Sequence, residues 1–191
     1  MRTVRGRRIG YVPQEPLSNL DPTFTIGQQL TYGLRAVSDV SRRAARAQLT
    51  DLLDQVGIRN AARVFDLYPH QVSGGMAQRV LIAGALAGDP ELIVADEPTT
   101  ALDVTVQADV LDLLRTLQQE RQLGMVLVTH NLGVVADICD TVSVMQAGRI
   151  VESRPAEELF TSPQNEYTQM LLNSTLDGAE LRTPLTIGGR A

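Results

Sequence analysis

The sequence predicts an α/β fold, with parallel core strands and a helical subdomain. Three observations carry this. Short apolar runs at 92–95 and 125–129 alternate with segments of helical periodicity, as in strands joined by crossover helices. Residues 14–67 read as mostly helical and contain no strand of their own. Finally, 92–95 is a continuous apolar run, expected of a strand buried on both faces, and it stops at Asp96, Glu97 and Pro98.

In chain order, residues 8–12 (RIGYV) predict a short strand that ends at Pro13. Gln14 and a loop rich in turn formers follow. Thr25 caps a predicted helix from 26 to about 36, and Ser41 caps the next. In that second helix Ala45, Leu49, Leu52, Leu53 and Val56 recur at helical spacing, and Gly57 ends it. One more short helix is expected at 60–66. Beyond Pro69, Ser73-Gly74-Gly75 opens a helix that runs to about 87 and breaks at Gly88-Asp89-Pro90. Residues 104–123 form an amphipathic helix with Val106, Val110, Leu113, Leu114 and Leu117 on one face. Asp103, Asp109 and Asp112 come early and Arg115 and Arg121 late, which suits the helix dipole. The strand 125–129 ends in His130, and a short helix covers 132–139. Residues 141–145 and 149–152 form a hairpin around Gln146-Ala147-Gly148. Short helices are expected at 155–160 and 167–172, with a loose tail at 177–191.

Composition narrows the function classes. The 191 residues suffice for one domain with a core, not for two large ones. A net charge of −5 argues against nucleic-acid binding by the whole molecule. No apolar run approaches the roughly 20 residues that span a bilayer, so any membrane role is peripheral. Cys139, the one cysteine, rules out an internal disulfide framework and fits a reducing compartment. It reads as a small apolar packing residue. Arg2, Arg5, Arg7 and Arg8 lack an apolar segment behind them, so they do not open a secretory signal and read as a solvated segment.

Two features point to phosphate chemistry. In Ser73-Gly74-Gly75, glycines allow close backbone approach, and the helix behind them presents unpaired N–H groups and positive dipole character. The alternative is a plain serine N-cap with a glycine turn. Asp96 and Glu97 end a buried strand, where ligands of open parallel sheets bind. There an Asp can hold Mg²⁺ and a neighbouring Glu can orient or deprotonate water; the alternative is an acidic strand-end loop. His130 would stand beside Glu97 if the two strands are parallel. Asp103 also reads as an N-cap, and His70 as surface or local packing.

The order and spacing of these segments carry more than each alone. Residues 72–76 (VSGGM), 92–97 (LIVADE), 100–103 (TALD) and His130 resemble the signature motif, Walker B strand, D-loop and switch histidine of an ABC-transporter nucleotide-binding domain. Val12-Pro13-Gln14 resembles its Q-loop. The resemblance covers about residues 8–172. SGGM followed by Gln78-Arg79, DEPTTALDVTVQ, and the tail SPQNEYTQMLL resemble the ATP-binding subunits of oligopeptide, dipeptide and nickel importers. Asn165-Glu166-Tyr167 departs from the His-Pro-Tyr typical there.

The resemblance implies a partial P-loop NTPase (ABC ATPase) fold. Its segments would be 1–13, a remnant of the core sheet; 14–88, the Q-loop and helical subdomain ending in the signature helix; 89–152, the Walker B, D-loop and switch core; and 153–191, a C-terminal helical tail. It implies ATP and Mg²⁺ as ligands, with Glu97 and His130 catalytic, Asp96 and Gln14 on the metal, and Gln14, Ser73, Gly74, Gly75 and Asp103 on the nucleotide. It implies a second ATP-binding subunit, identical or not, with each nucleotide between the P-loop of one and the signature of the other. Transmembrane permease subunits would meet the helical stretch after Gln14. A solute-binding protein acts indirectly, no nucleic acid is involved, and the location is cytoplasmic, on the inner face of the membrane.

The 191 residues contain no lysine, and hence no G-x-x-x-x-G-K-[ST] loop. The expectation is therefore a truncated chain with the N-terminal strands and P-loop missing, inactive in ATP hydrolysis and unstable on its own. Two other readings stand beside it: a non-catalytic partner that lends its signature motif to an intact subunit, and a gene fragment without function.

Overall fold

The computed structural model describes residues 4–100 and 102–176; the tail at 177–191 lies outside the described residues. The chain divides after Val128 into two compact units.

The first unit carries a parallel three-stranded sheet, order β1 (Ile9–Val12), β2 (Leu92–Asp96), β3 (Gly124–Val128). Val12 pairs with Ala95, and Asp96 with Val128, so the strands end together. Gly10 lets β1 pass close under the next layer: a Cβ there would collide with the carbonyl of Ala85. Arg8 and Glu91 clasp the opposite end of the sheet through two hydrogen bonds, at 2.7 and 3.0 Å.

Between β1 and β2 lie four helices: α1 (Ile26–Val37), α2 (Arg42–Gln55), α3 (Ala61–Phe65) and α4 (Gly74–Leu86). Each predicted cap is present. Thr25 and Gln28 form a reciprocal capping box, and Ser41 accepts from the N–H of Ala44 at 3.2 Å. Gly57, at φ +80°, turns the chain out of α2. Arg79 of α4 then donates to the carbonyl of Val56 at 2.7 Å, tying the two helices together. Helix α5 (Val104–Arg121) joins β2 to β3, and Val110, Leu114 and Leu117 are its buried stripe.

The helices cover one face of the sheet. Val12, Ile93 and Ala95 are fully buried in one core with Val80, Leu86, Val110 and Leu114. On the alternate face Leu92 and Val94 are only half-buried, while Tyr11, Val126 and Val128 are 55%, 46% and 48% exposed. β2 is therefore buried on one face, not on both as its unbroken apolar run predicts. No second layer of the first unit packs there among the described residues.

The second unit holds α6 (Leu132–Ile138), the hairpin β4 (Thr141–Gln146) and β5 (Arg149–Pro155), α7 (Ala156–Thr161) and α8 (Glu166–Leu176). Ala147 and Gly148, at φ +48° and +77°, make the hairpin turn whose two positive φ values match strand twist. Glu152 of β5 is buried and accepts from the N–H groups of Gln164 and Asn165, at 2.9 and 3.1 Å, at the start of α8. The Gln164 N–H above all holds its carboxyl below the usual carboxylate range.

Candidate functional site

The site begins where β1 and β2 end side by side. Register alone places Gln14 and Glu97 two residues past the paired Val12 and Ala95. Gln14 Nε2 donates to Glu97 Oε2 at 3.2 Å. The hydroxyl of Thr100 donates to the same oxygen at 2.6 Å, and the Thr100 N–H donates to the Glu97 carbonyl at 3.1 Å. Glu97 itself takes φ +43°, a left-handed value that non-glycine residues hold only when their surroundings fix it. Its N–H donates to the Val128 carbonyl at 2.8 Å, which continues the β2–β3 ladder through this turn.

Asp96 has a different partner. The Tyr11 hydroxyl donates to Asp96 Oδ2 at 3.1 Å across the exposed sheet face. The Asp96 carboxylate raises the Tyr11 phenol above its ordinary value, because the hydrogen bond favours the protonated ring. Neighbours in sequence, the two carboxylates thus have different partners, Asp96 the Tyr11 hydroxyl of β1, and Glu97 both Gln14 just past β1 and Thr100 in the turn after β2.

This donor set is all hard oxygen, which suits Mg²⁺. Asp96 and the side-chain carbonyl of Gln14 are the groups that could hold it. Among the described residues there is no group of three or more His, Cys, Asp or Glu that could hold a metal ion. A cation here would complete its shell with water and phosphate oxygens, the usual habit of Mg²⁺ in phosphoryl-transfer sites.

Ser73 is exposed, at the N-cap of α4, and its Oγ accepts from the Met76 N–H at 3.3 Å. The glycines behind it have packing work as well. A Cβ on Gly75 would lie 2.6 Å from Val106 Cγ1, and one on Gly74 would lie 3.6 Å from Leu102 Cδ2. Asp103 caps α5, accepting from the Val106 N–H at 2.9 Å. The start of α4 therefore lies against the start of α5. His130 is exposed and belongs to the second unit. β2 and β3 are parallel. His70 is exposed and stacks on Tyr68, ring centroids 5.7 Å apart. Cys139 is half-buried, and burial pushes its thiol up, away from the reactive thiolate.

Two contacts escaped the sequence reading. Tyr11 reads only as a strand residue, although two-residue alternation from its partner Val94 places it on the Asp96 face. Thr100 reads only as the first residue of a loop, and no local turn rule announces a hydroxyl that reaches the Glu97 carboxylate.

Residues 1–100 match the ABC transporter family. A putative peptide import ATP-binding protein of Brucella ovis is 55% identical over 174 residues, 91% of this chain and 52% of that protein. The oligopeptide transport ATP-binding protein OppD of Lactococcus lactis subsp. cremoris is 51% identical over 175 residues, again 91% and 52%. Among solved structures, a dimeric ATP-binding cassette in a post-hydrolysis state bound to ADP and Pi superposes with a TM-score of 0.68. The two are 29% identical, over 79% of this chain and 64% of that one. The chain spans about half the length of the curated relatives it matches.

Proposed function

The chain belongs to the ABC transporter family, and from that premise we propose that it is part of the ATP-binding, ATP-hydrolysing subunit of a peptide-type importer. The observation that carries this is the group at the ends of β1 and β2. There Gln14, Asp96, Glu97 and Thr100 stand at the carboxyl ends of parallel strands, with hydrogen bonds that fix both carboxylates. The printed names of its relatives support peptide import.

In this reading Glu97 accepts a proton from, or orients, the water that attacks the terminal phosphate. Thr100 and Gln14 hold its carboxylate in place while it does so. Asp96 and Gln14 face the cation. A bound Mg²⁺ would supply charge neutralisation on the phosphate oxygens. Ser73, Gly74 and Gly75 face a nucleotide held by a second subunit, with the Ser73 hydroxyl and the first N–H groups of α4 as donors. Asp103 lies on the same side, and His130 serves the terminal phosphate. The 191 residues contain no lysine, so any lysine on the β and γ phosphates comes from outside them.

The proposed segments are 1–13 as core sheet, 14–88 as Q-loop and helical subdomain, 89–152 as the Walker B, D-loop and switch core, and 153–191 as a C-terminal tail. The partners are a second ATP-binding subunit and transmembrane permease subunits, with the helical stretch after Gln14 as the permease-facing surface. The location is cytoplasmic, peripheral on the inner face of the membrane; no helix of the described residues is long and apolar enough to cross it.

The test is ATP turnover in an assembly with permease and second subunit in which a lysine-bearing phosphate loop is supplied beside these residues. Glu97→Gln should lower kcat by about 10²-fold or more with nucleotide binding retained. Turnover that is indifferent to Glu97→Gln would sink this reading.

A further inference from the structure

The turn that positions Glu97 has an anchor outside every residue so far given a role. Gln107 stands on the first turn of α5, and its side-chain nitrogen donates to two backbone carbonyls, those of Thr99 and Leu102, each at 3.1 Å. A primary amide carries two hydrogens, so one side chain satisfies both acceptors. Thr99 is buried, where a carbonyl left without a partner is costly. Between the two pinned carbonyls sits Thr100, whose N–H and hydroxyl both bond Glu97. The second pinned residue, Leu102, lies on the side of the turn that faces Gly74.

We propose that Gln107 is a positioning residue for this site: its amide clamps Thr99 and Leu102 and thereby holds Thr100 on the Glu97 carboxylate. The proposal rests on the reading of Glu97 as the residue that acts on water. Its physical content is narrower and separable. Without the clamp, the left-handed turn at Glu97 loses two of the bonds that fix it, and the carboxylate samples other directions. Gln107 bonds backbone carbonyls of the turn and neither carboxylate, so its effect falls on kcat and not on KM for ATP.

Hydrogen exchange on the purified chain, read without nucleotide, tests the clamp at the Thr100 and Leu102 amides. Gln107→Met keeps length and packing but removes the donor, and should speed exchange at both amides by about tenfold or more. Gln107→Lys keeps an N–H donor at similar reach and should restore most of the protection. Exchange at Ala83 and Leu114, in the helices on either side, should stay unchanged in both variants. The proposal is overturned if Gln107→Met leaves Thr100 and Leu102 protected, if Gln107→Lys opens them as far as Met does, or if Ala83 and Leu114 open equally. Turnover that ignores Glu97→Gln would defeat the functional reading alone, because the exchange measurement involves no ATP.

Discussion

Gly75→Ala tests whether the glycine turn at the start of α4 is built for packing. The new Cβ would lie 2.6 Å from Val106 Cγ1, where two carbons prefer about 3.5–4.0 Å. Roughly 1 Å must therefore be absorbed. Val106 is half-buried, on the first turn of α5, and packs against the core. A β-branched side chain in a helix has one strongly preferred χ1, so Val106 cannot swing aside cheaply. The two helices must part instead, at an overpacking cost of about 1–3 kcal/mol. Replacing glycine by alanine within a helix returns at most about 1 kcal/mol. The net expectation is a loss of about 0.5–2 kcal/mol, opposite in sign to the usual gain. Val106→Ala alone should cost about 1 kcal/mol in lost apolar burial, yet it should cost little in the Gly75→Ala background. Urea unfolding of the four proteins, followed by circular dichroism, gives the coupling, expected at about 1–2 kcal/mol. A Gly75→Ala protein stabilised by the full propensity gain, or a cycle that is additive, would refute the packing argument.

Two further outcomes are expected. Arg79→Met removes a charge-assisted bond of 2.7 Å to the last turn of α2 from a side chain that is 20% exposed. It should lower the urea midpoint by the equivalent of about 1.5–3 kcal/mol, and a change within error would mean that Val56 is satisfied by water. Glu152, held below its ordinary range by the Gln164 N–H, contributes stability that is present above the unfolded carboxylate value of about 4.3 and lost as pH falls through the lower folded value. Exchange at the Thr168 amide of α8 should accelerate over that window in the wild type. In Glu152→Gln it should already be fast at neutral pH and nearly flat with pH; identical profiles for the two proteins would contradict the assignment.

The helices and the hairpin were legible in the sequence because their signals are local. Thr25 with Gln28, Ser41, Ser73 and Asp103 are caps by residue type and spacing, and the hairpin turn is announced by the backbone freedom of Gly148. The meeting of Gln14 with Glu97 was legible only through the family pattern. It depends on the register of two strands whose partners are 83 residues apart, which no local rule supplies. The burial of β2 was misread for a related reason. An apolar run reports that a strand can be covered, while coverage depends on what packs against each face. Tyr11 carried no signal of its own and Gln107 only its place at the end of DEPTTALDVTVQ, since an exposed strand tyrosine and a helical glutamine acquire meaning only from the carboxylate and the carbonyls that they reach.

At Ser73-Gly74-Gly75 and Asp103, the local reading and the proposed functional one are compatible, and the geometry leaves room for one group to do both. The Ser73 oxygen accepts from the Met76 N–H, which leaves the hydroxyl proton to donate outward from an exposed position. Gly75 gives up its Cβ to Val106, and that close contact sets the start of α4 against the start of α5. The Asp103 cap fixes where α5 starts, and Gln107, one turn on, fixes the carbonyls that lead back to Glu97. A cap and a packing glycine thus determine where a phosphate donor would stand. Substitutions that disturb the packing should move the Ser73 donor and the Glu97 carboxylate together, whereas Ser73→Ala should remove the donor and leave Glu97 where it is.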